Sequence, residues 1–236
     1  MACRLDLMRV LSRLIGVSLA SLVLMCVLPL GAGAIDQRAF RAPEARPTDH
    51  PDPARHSYTA PEAPHSPACS RHFCVHWVAE SFDAPNPTDA NGIKDGDGIP
   101  DYVERVLTVA EHVQSVENGR LGWREPRPDG RRGGRNNKVD VYLKDLRQTM
   151  FGYSAPDSGP GGRIRRLPER PHGYLVLDND YDPFEYPGTT QLGDLEVTFA
   201  HEYNHILQMG YDAYEDPWFA ESTAVWMEDQ VYNGVD

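Results

Sequence analysis

Beyond Arg170 the chain has no lysine or arginine, yet this last stretch carries fourteen aspartates and glutamates. The whole chain has a formal charge of -12. An acidic surface repels the phosphates of nucleic acid, which excludes nucleic acid as a partner. A region of one sign also repels itself unless bound cations or a well-solvated face offset it. Cysteine is scarce as well, at four residues.

The long apolar run from Leu14 to Leu30 follows Arg4, Arg9 and Arg13 and precedes the small residues Ala32-Gly33-Ala34. That order is the order of a secretory signal peptide. The run is near the lower limit for a bilayer span, so a retained anchor is the alternative. Residues 1–34 are expected to be removed, leaving a secreted chain with no membrane association. Loss of three Arg and one Asp brings the mature charge to -14. Cys3 and Cys26 leave with the leader. Cys69 and Cys74 remain, and an oxidising compartment favours a disulfide between them over two free thiols.

Residues 35–67 are rich in Pro, Ala, Asp, Glu and His, as in RAPEARPTDHPDPARH. Such a composition buries little apolar area against its ordering entropy and reads as a linker or short propeptide. The folded domain is expected over 68–236. FCVHWV (Phe73 to Val78), VDVYL (Val139 to Leu143) and YLVLDND (Tyr174 to Asp180) read as strands. DYVERVLTVAEHVQSVENG reads as a helix with a stripe of Val103, Val106, Leu107, Ala110, Val113 and Val116 or Glu117, stopped by Gly119. FGYSAPDSGPGGRIRRLPERPHG reads as irregular. The expectation is an α+β domain, one small sheet with helices on one face.

LGDLEVTFAHEYNHILQMG (Leu192 to Gly210) is helical in period. Residues four apart on a helix share a face, so His201 and His205 present two imidazoles to one point. Glu202 sits at the edge of that face. A catalytic zinc polarises a carbonyl and acidifies a water, and it needs a carboxylate base within hydrogen-bond reach. The H-E-x-x-H spacing meets those demands. A third ligand is still required. DPWFAESTAVWMEDQVY supplies it: Asp216-Pro217 starts a helix, and Glu221 lies among the small residues Ala220, Ser222 and Ala224, which allow close approach. Glu228 or Asp229, about two turns on, would accept from a ligand histidine N–H. The bland alternative is a half-buried histidine beside a helix-capping Glu221. Trp218 and Trp226 read as core at helical spacing.

HEYNHILQ followed by WFAESTAVWMED resembles the gluzincin zinc metallopeptidases. The resemblance implies a zincin-like domain, a sheet packed on an active-site helix and a ligand helix. It implies His201, His205 and Glu221 as zinc ligands and Glu202 as general base. The chain is similar also to secreted bacterial metalloprotease-like proteins with a D-x-N-G-x-G-x-P-D-Y-x-E segment, a D-V-Y-L strand and an E-x-x-A-x-W-M-E-D ending. This likeness runs from about Phe73 to the C-terminus and implies an extracellular bacterial setting. Relatives generally continue past the ligand helix. A chain ending at VYNGVD is expected to be C-terminally truncated or minimal; Tyr203, Tyr211 and Tyr214 are minor candidates to substitute for a downstream oxyanion donor.

TDANGIKDGDGIPDYVE (Thr88 to Glu104) alternates Asp and Asn with glycine. Hard oxygen ligands at such spacing suit Ca2+. Counting back from Glu104 as the twelfth position places Asp95, Asp97, the Ile99 carbonyl and Asp101 as ligands, with Asp89 or Asn91 reaching in. An Asx-rich turn capping the helix is the alternative.

The sequence therefore leads to a secreted zinc endopeptidase acting on peptide or protein, with Zn2+ at the site and Ca2+ pinning a loop. The alternative is a calcium-stabilised extracellular binding or envelope module with a vestigial protease site. A zinc hydrolase of non-protein amides is a weaker third reading, since the chemistry at the metal is shared. YLVLDND is expected at the rim of the cleft, where a strand edge would pair with an extended peptide.

Overall fold

The computed structural model describes residues 46–49, 57–85, 96–147, 150–157 and 168–235. The leader and three of the expected calcium ligands, Asp89, Asn91 and Asp95, lie outside the described residues. No described helix is long and apolar enough to cross a membrane.

Five strands form one sheet: β1 (Ala68–Cys69), β2 (Phe73–His76), β3 (Val139–Lys144), β4 (Gly152–Pro156) and β5 (Gly173–Asp178), in the order β1-β2-β3-β5-β4. β2, β3 and β5 run parallel, and the short edge strands β1 and β4 pair antiparallel. Parallel neighbours require a crossover. Helix α1 (Asp101–Gln114), continued by a π turn over Ser115–Arg120, makes the one between β2 and β3. Helices α2 (Gln191–Met209) and α3 (Pro217–Val231) follow the sheet. The chain is thus a mixed α+β fold, a small sheet with a few helices.

Side chains alternate across each strand. Val139, Val141 and Leu143 join Phe73, Val75, Leu175 and Leu177 on one face, against Val103, Val106 and Ala110 of α1 and Leu195, Phe199 and Ile206 of α2. The helices therefore cover one face, as the patterning anticipated. The other face carries Tyr142, Tyr153, Tyr174 and Val176, with Tyr58 packed on them. Cys69 and Cys74 are register partners on β1 and β2 and form a disulfide.

Where it is described, the Pro-rich stretch is part of this packing. Arg46 is buried beneath the sheet, with its guanidinium against Asp129 (3.2 Å), Asp157 (2.8 Å) and Asp140. The Tyr58 hydroxyl donates to the His76 carbonyl at 2.9 Å, and Glu62 bridges to Val78. Burial lowers the charged form of Arg46, but Tyr142, Asp140 and Asp157 outweigh it and hold the guanidinium firmly protonated.

β4 lies within a segment read as irregular. Its sequence, GYSAP, is poor in strand formers, and its place at the sheet edge tolerates the glycine and proline. This edge strand also moves an expectation. β5 is paired on both sides, so among the described residues the sheet edge on that side belongs to β4.

Candidate metal centre

Helix α2 starts at Thr190, whose side chain accepts from the Gly193 N–H at 3.1 Å. Leu195, Phe199, Tyr203, Ile206 and Leu207 bury one face in the core. His201, Glu202 and His205 are half-buried at the margin of that face. Helix α3 starts as its sequence indicates, with Pro217 in the first turn and the Asp216 carboxylate accepting from Trp218 N–H at 2.9 Å. Its buried residues are Ala224 and Met227, which seat it on α2.

This packing brings three expected ligands together. His201 Nε2 and His205 Nε2 are 3.1 Å apart, and Glu221 Oε2 lies 3.3 Å from the first and 3.6 Å from the second. Two imidazole nitrogens and a carboxylate oxygen around a tetrahedral zinc are separated by about 3.3 to 3.5 Å, from metal–ligand distances of about 2.0 to 2.2 Å. The donor set therefore fits Zn2+ in chemistry and in spacing. The Glu221 side chain is 63% exposed, leaving one side of the triangle open to a fourth ligand.

Each imidazole is oriented from behind. Glu228 Oε1 lies 2.6 Å from His201 Nδ1. Gln208 Oε1 lies 2.7 Å from His205 Nδ1. Both partners favour a proton on Nδ1 and leave Nε2 facing the triangle. Glu228 was one of two acids expected here from its spacing. Gln208 was not anticipated, although three residues after His205 places it on the same helix face.

The charges respond to this crowding. Burial disfavours the charged form of His201, but hydrogen bonds to Glu221 and Glu228 and the charge of Glu202 outweigh it and raise the pKa to about 10. Hydrogen bonds from His201 and His205 hold Glu221 well below the usual carboxylate range. Burial pushes Glu202 up, against the pull of His205 and His201 and a hydrogen bond with Ser154 of β4. Glu202 and His201 line a cavity of ≈ 640 Å³ whose walls include Phe151, Asp194, Val197 and Val235. A carboxylate with a raised pKa lining a cavity suits proton transfer.

Other expected positions fall elsewhere. Trp218 and Trp226 are exposed, at 73% and 50%, rather than core. Helix α3 buries only Ala224 and Met227, and the two rings project from its other faces. Tyr203 is buried and donates to Asn118 Oδ1 at 2.8 Å, so its hydroxyl is engaged away from the triangle. Tyr211 accepts from the Arg124 N–H at 3.1 Å and lies under that guanidinium. Tyr214 is exposed.

In the expected calcium loop, Asp97 accepts from Ile99 N–H at 2.7 Å in an Asx turn. The Ile99 side chain packs on the core. Asp101 and Glu104 occupy the first turn of α1, where the helix dipole favours acids. Among the described residues these positions form no three-ligand group. A group the sequence did not single out does form, from Asp145, Asp178 and Glu185. Its buried member, Asp178, accepts from the N–H groups of Leu146, Asp180 and Tyr181 and from Tyr186.

No protein-family model, curated protein or solved structure matches the chain.

Proposed function

We propose that the chain is a zinc-dependent endopeptidase of the gluzincin type, secreted, acting on peptide or protein. The observation that carries this reading is the convergence of His201 Nε2, His205 Nε2 and Glu221 Oε2 within 3.1 to 3.6 Å. Half-buried histidines with a structural role need one acceptor each. Here each has its Nδ1 partner already, and both Nε2 atoms still point at the same carboxylate.

His201, His205 and Glu221 would hold the metal. When bound, zinc supplies Lewis acidity toward a carbonyl oxygen and toward water. The remaining work belongs to the chain. Glu202, in the cavity wall, accepts the proton of the attacking water and returns it to the departing amine. Ser154 fixes that carboxylate from β4. The outer edge of β4 offers backbone donors and acceptors to an extended peptide, which would run alongside Glu202. Phe151, Val197 and Val235 give the adjoining cavity an apolar wall for a substrate side chain.

The test is metal content and cleavage of an unstructured protein such as casein by wild type and E202Q. The reading expects one zinc in each, and a loss of cleavage of about 10²- to 10⁴-fold in E202Q. Zinc without cleavage in wild type would favour the vestigial-site module. Failure to bind zinc would remove the enzyme reading altogether.

A further inference from the structure

We propose that Glu117, on the π turn after α1, is a positioning residue for the metal centre. It ends a hydrogen-bond chain that fixes the tautomer and orientation of His205.

The chain can be followed atom by atom. His205 Nδ1–H donates to Gln208 Oε1 at 2.7 Å. Gln208 Nε2–H donates to Asn204 Oδ1 at 2.8 Å. Asn204 Nδ2–H donates to Glu117 Oε2 at 2.9 Å. Every bond runs in one direction, from imidazole to carboxyl. Such chains polarise their members cooperatively, so an acceptor at the far end strengthens the first link. Gln208 Nε2 is also within 3.0 Å of the Ala220 carbonyl, next to Glu221, so the same amide ties His205 to the helix that carries the third ligand.

Three features distinguish Glu117 from an ordinary core contact. It is fully buried, and its Oε1 has no hydrogen-bond partner among the described residues. It occupies an apolar stripe position, where a leucine or methionine would fill the space without a desolvated carboxyl. It also lies on a π turn, closed by Leu121 N–H to the Val116 carbonyl at 2.8 Å. That wider turn sends both Glu117 and Asn118 onto α2, to Asn204 and Tyr203. π turns concentrate at functional sites. An asparagine between the two histidines of HEYNH thereby acquires a purpose: Asn204 carries the link across α2.

This inference rests on the zinc reading, and the experiment separates the two. Zinc dissociation constants are measured by chelator competition for wild type, E117L, E117Q and Q208M, with folding checked by circular dichroism. Nitrogen-15 spectra of the zinc-loaded wild type read the His205 ring. The proposal expects a protected proton on His205 Nδ1, zinc binding weakened about 10- to 100-fold in E117L and Q208M, and recovery to near wild type in E117Q, which keeps an oxygen for Asn204. The double variant E117L/Q208M should be no weaker than the worse single variant, because both break one chain. Wild type that binds no zinc sinks the zinc reading and this inference with it. Wild type that binds zinc, with E117L unchanged, or E117Q as weak as E117L, or the His205 proton on Nε2, overturns the role of Glu117 alone. If E117L fails to fold, E117Q, Q208M and the wild-type spectrum still decide.

Discussion

Glu228 Oε1 stands 2.6 Å from Nδ1 of His201, while the same ring turns its Nε2 to His205 and Glu221. A carboxylate behind a ligating imidazole raises its basicity and locks its rotation. E228Q should keep the fold and weaken zinc about 10- to 100-fold by chelator competition. An unchanged affinity would mean that Glu228 only decorates the surface of α3.

The same arrangement dictates a pH dependence. Zinc must displace the proton of His201, whose pKa in the metal-free chain is raised to about 10. Apparent zinc affinity should therefore keep climbing as pH rises through neutrality and level off only near that value. Proton release measured by calorimetry in two buffers checks this directly. A plateau reached already near pH 7 would contradict the crowding of acids around His201.

Glu117 sets a second pH signature, this time on stability. Burial raises its pKa to about 8, against the pull of Asn204 and His201. The folded state thus holds the proton more tightly than the unfolded chain, whose carboxyl titrates near 4.5. Its penalty is absent below that value and grows as pH rises toward 8, reaching on the order of a few kcal/mol. Denaturant melts of E117Q and wild type at pH 5 and pH 9 should show the variant gaining relative stability at the higher pH. Parallel curves would place Glu117 in a wetter setting than its burial indicates.

Removing the Arg46 side chain should be costly. R46A leaves Asp129, Asp140 and Asp157 without the guanidinium that sits among them. Breaking a buried ion cluster on one side costs about 3 to 5 kcal/mol. Urea unfolding of R46A measures it, and a loss under about 1 kcal/mol would show the three acids relaxing into water.

The Cys69–Cys74 bridge closes a short loop at the sheet edge. Loop-closure entropy for so few residues gives about 2 kcal/mol. The C69S/C74S variant should lose that amount in urea unfolding and retain zinc, since the bridge is not in contact with the triangle.

Helices α2 and α3 were legible because both are long, periodic and well capped: Thr190 and Asp216 close their first turns as such residues do. Spacing alone put His201 and His205 on one point, and small neighbours pointed to Glu221. Besides Gln208 and the Asp145–Asp178–Glu185 group, three features escaped for physical reasons. β4 escaped because glycine, serine and proline suppress its strand signal. Trp218 and Trp226 were placed in the core because size and hydrophobicity were weighed without knowing that α3 touches the body along a single narrow line. Between Val116 and Glu117 the stripe offered a choice. Both are buried, because the helix widens into a π turn there, and no local pattern announces that change of period.

Arg46 shows how a single cation can set the minimum foldable length. Its partners come from the loop after α1, from β3 and from the end of β4, so one side chain ties together three parts of the chain, beside the Arg132–Asp157 pair that also joins the loop to the end of β4. Trimming to Ala68, where the folded domain is expected to begin, would strip the underside of the cation that touches all three acids. The shortest version that folds well should begin ahead of residue 46, and a protease that severs this region would unlock the sheet rather than release a spent tether.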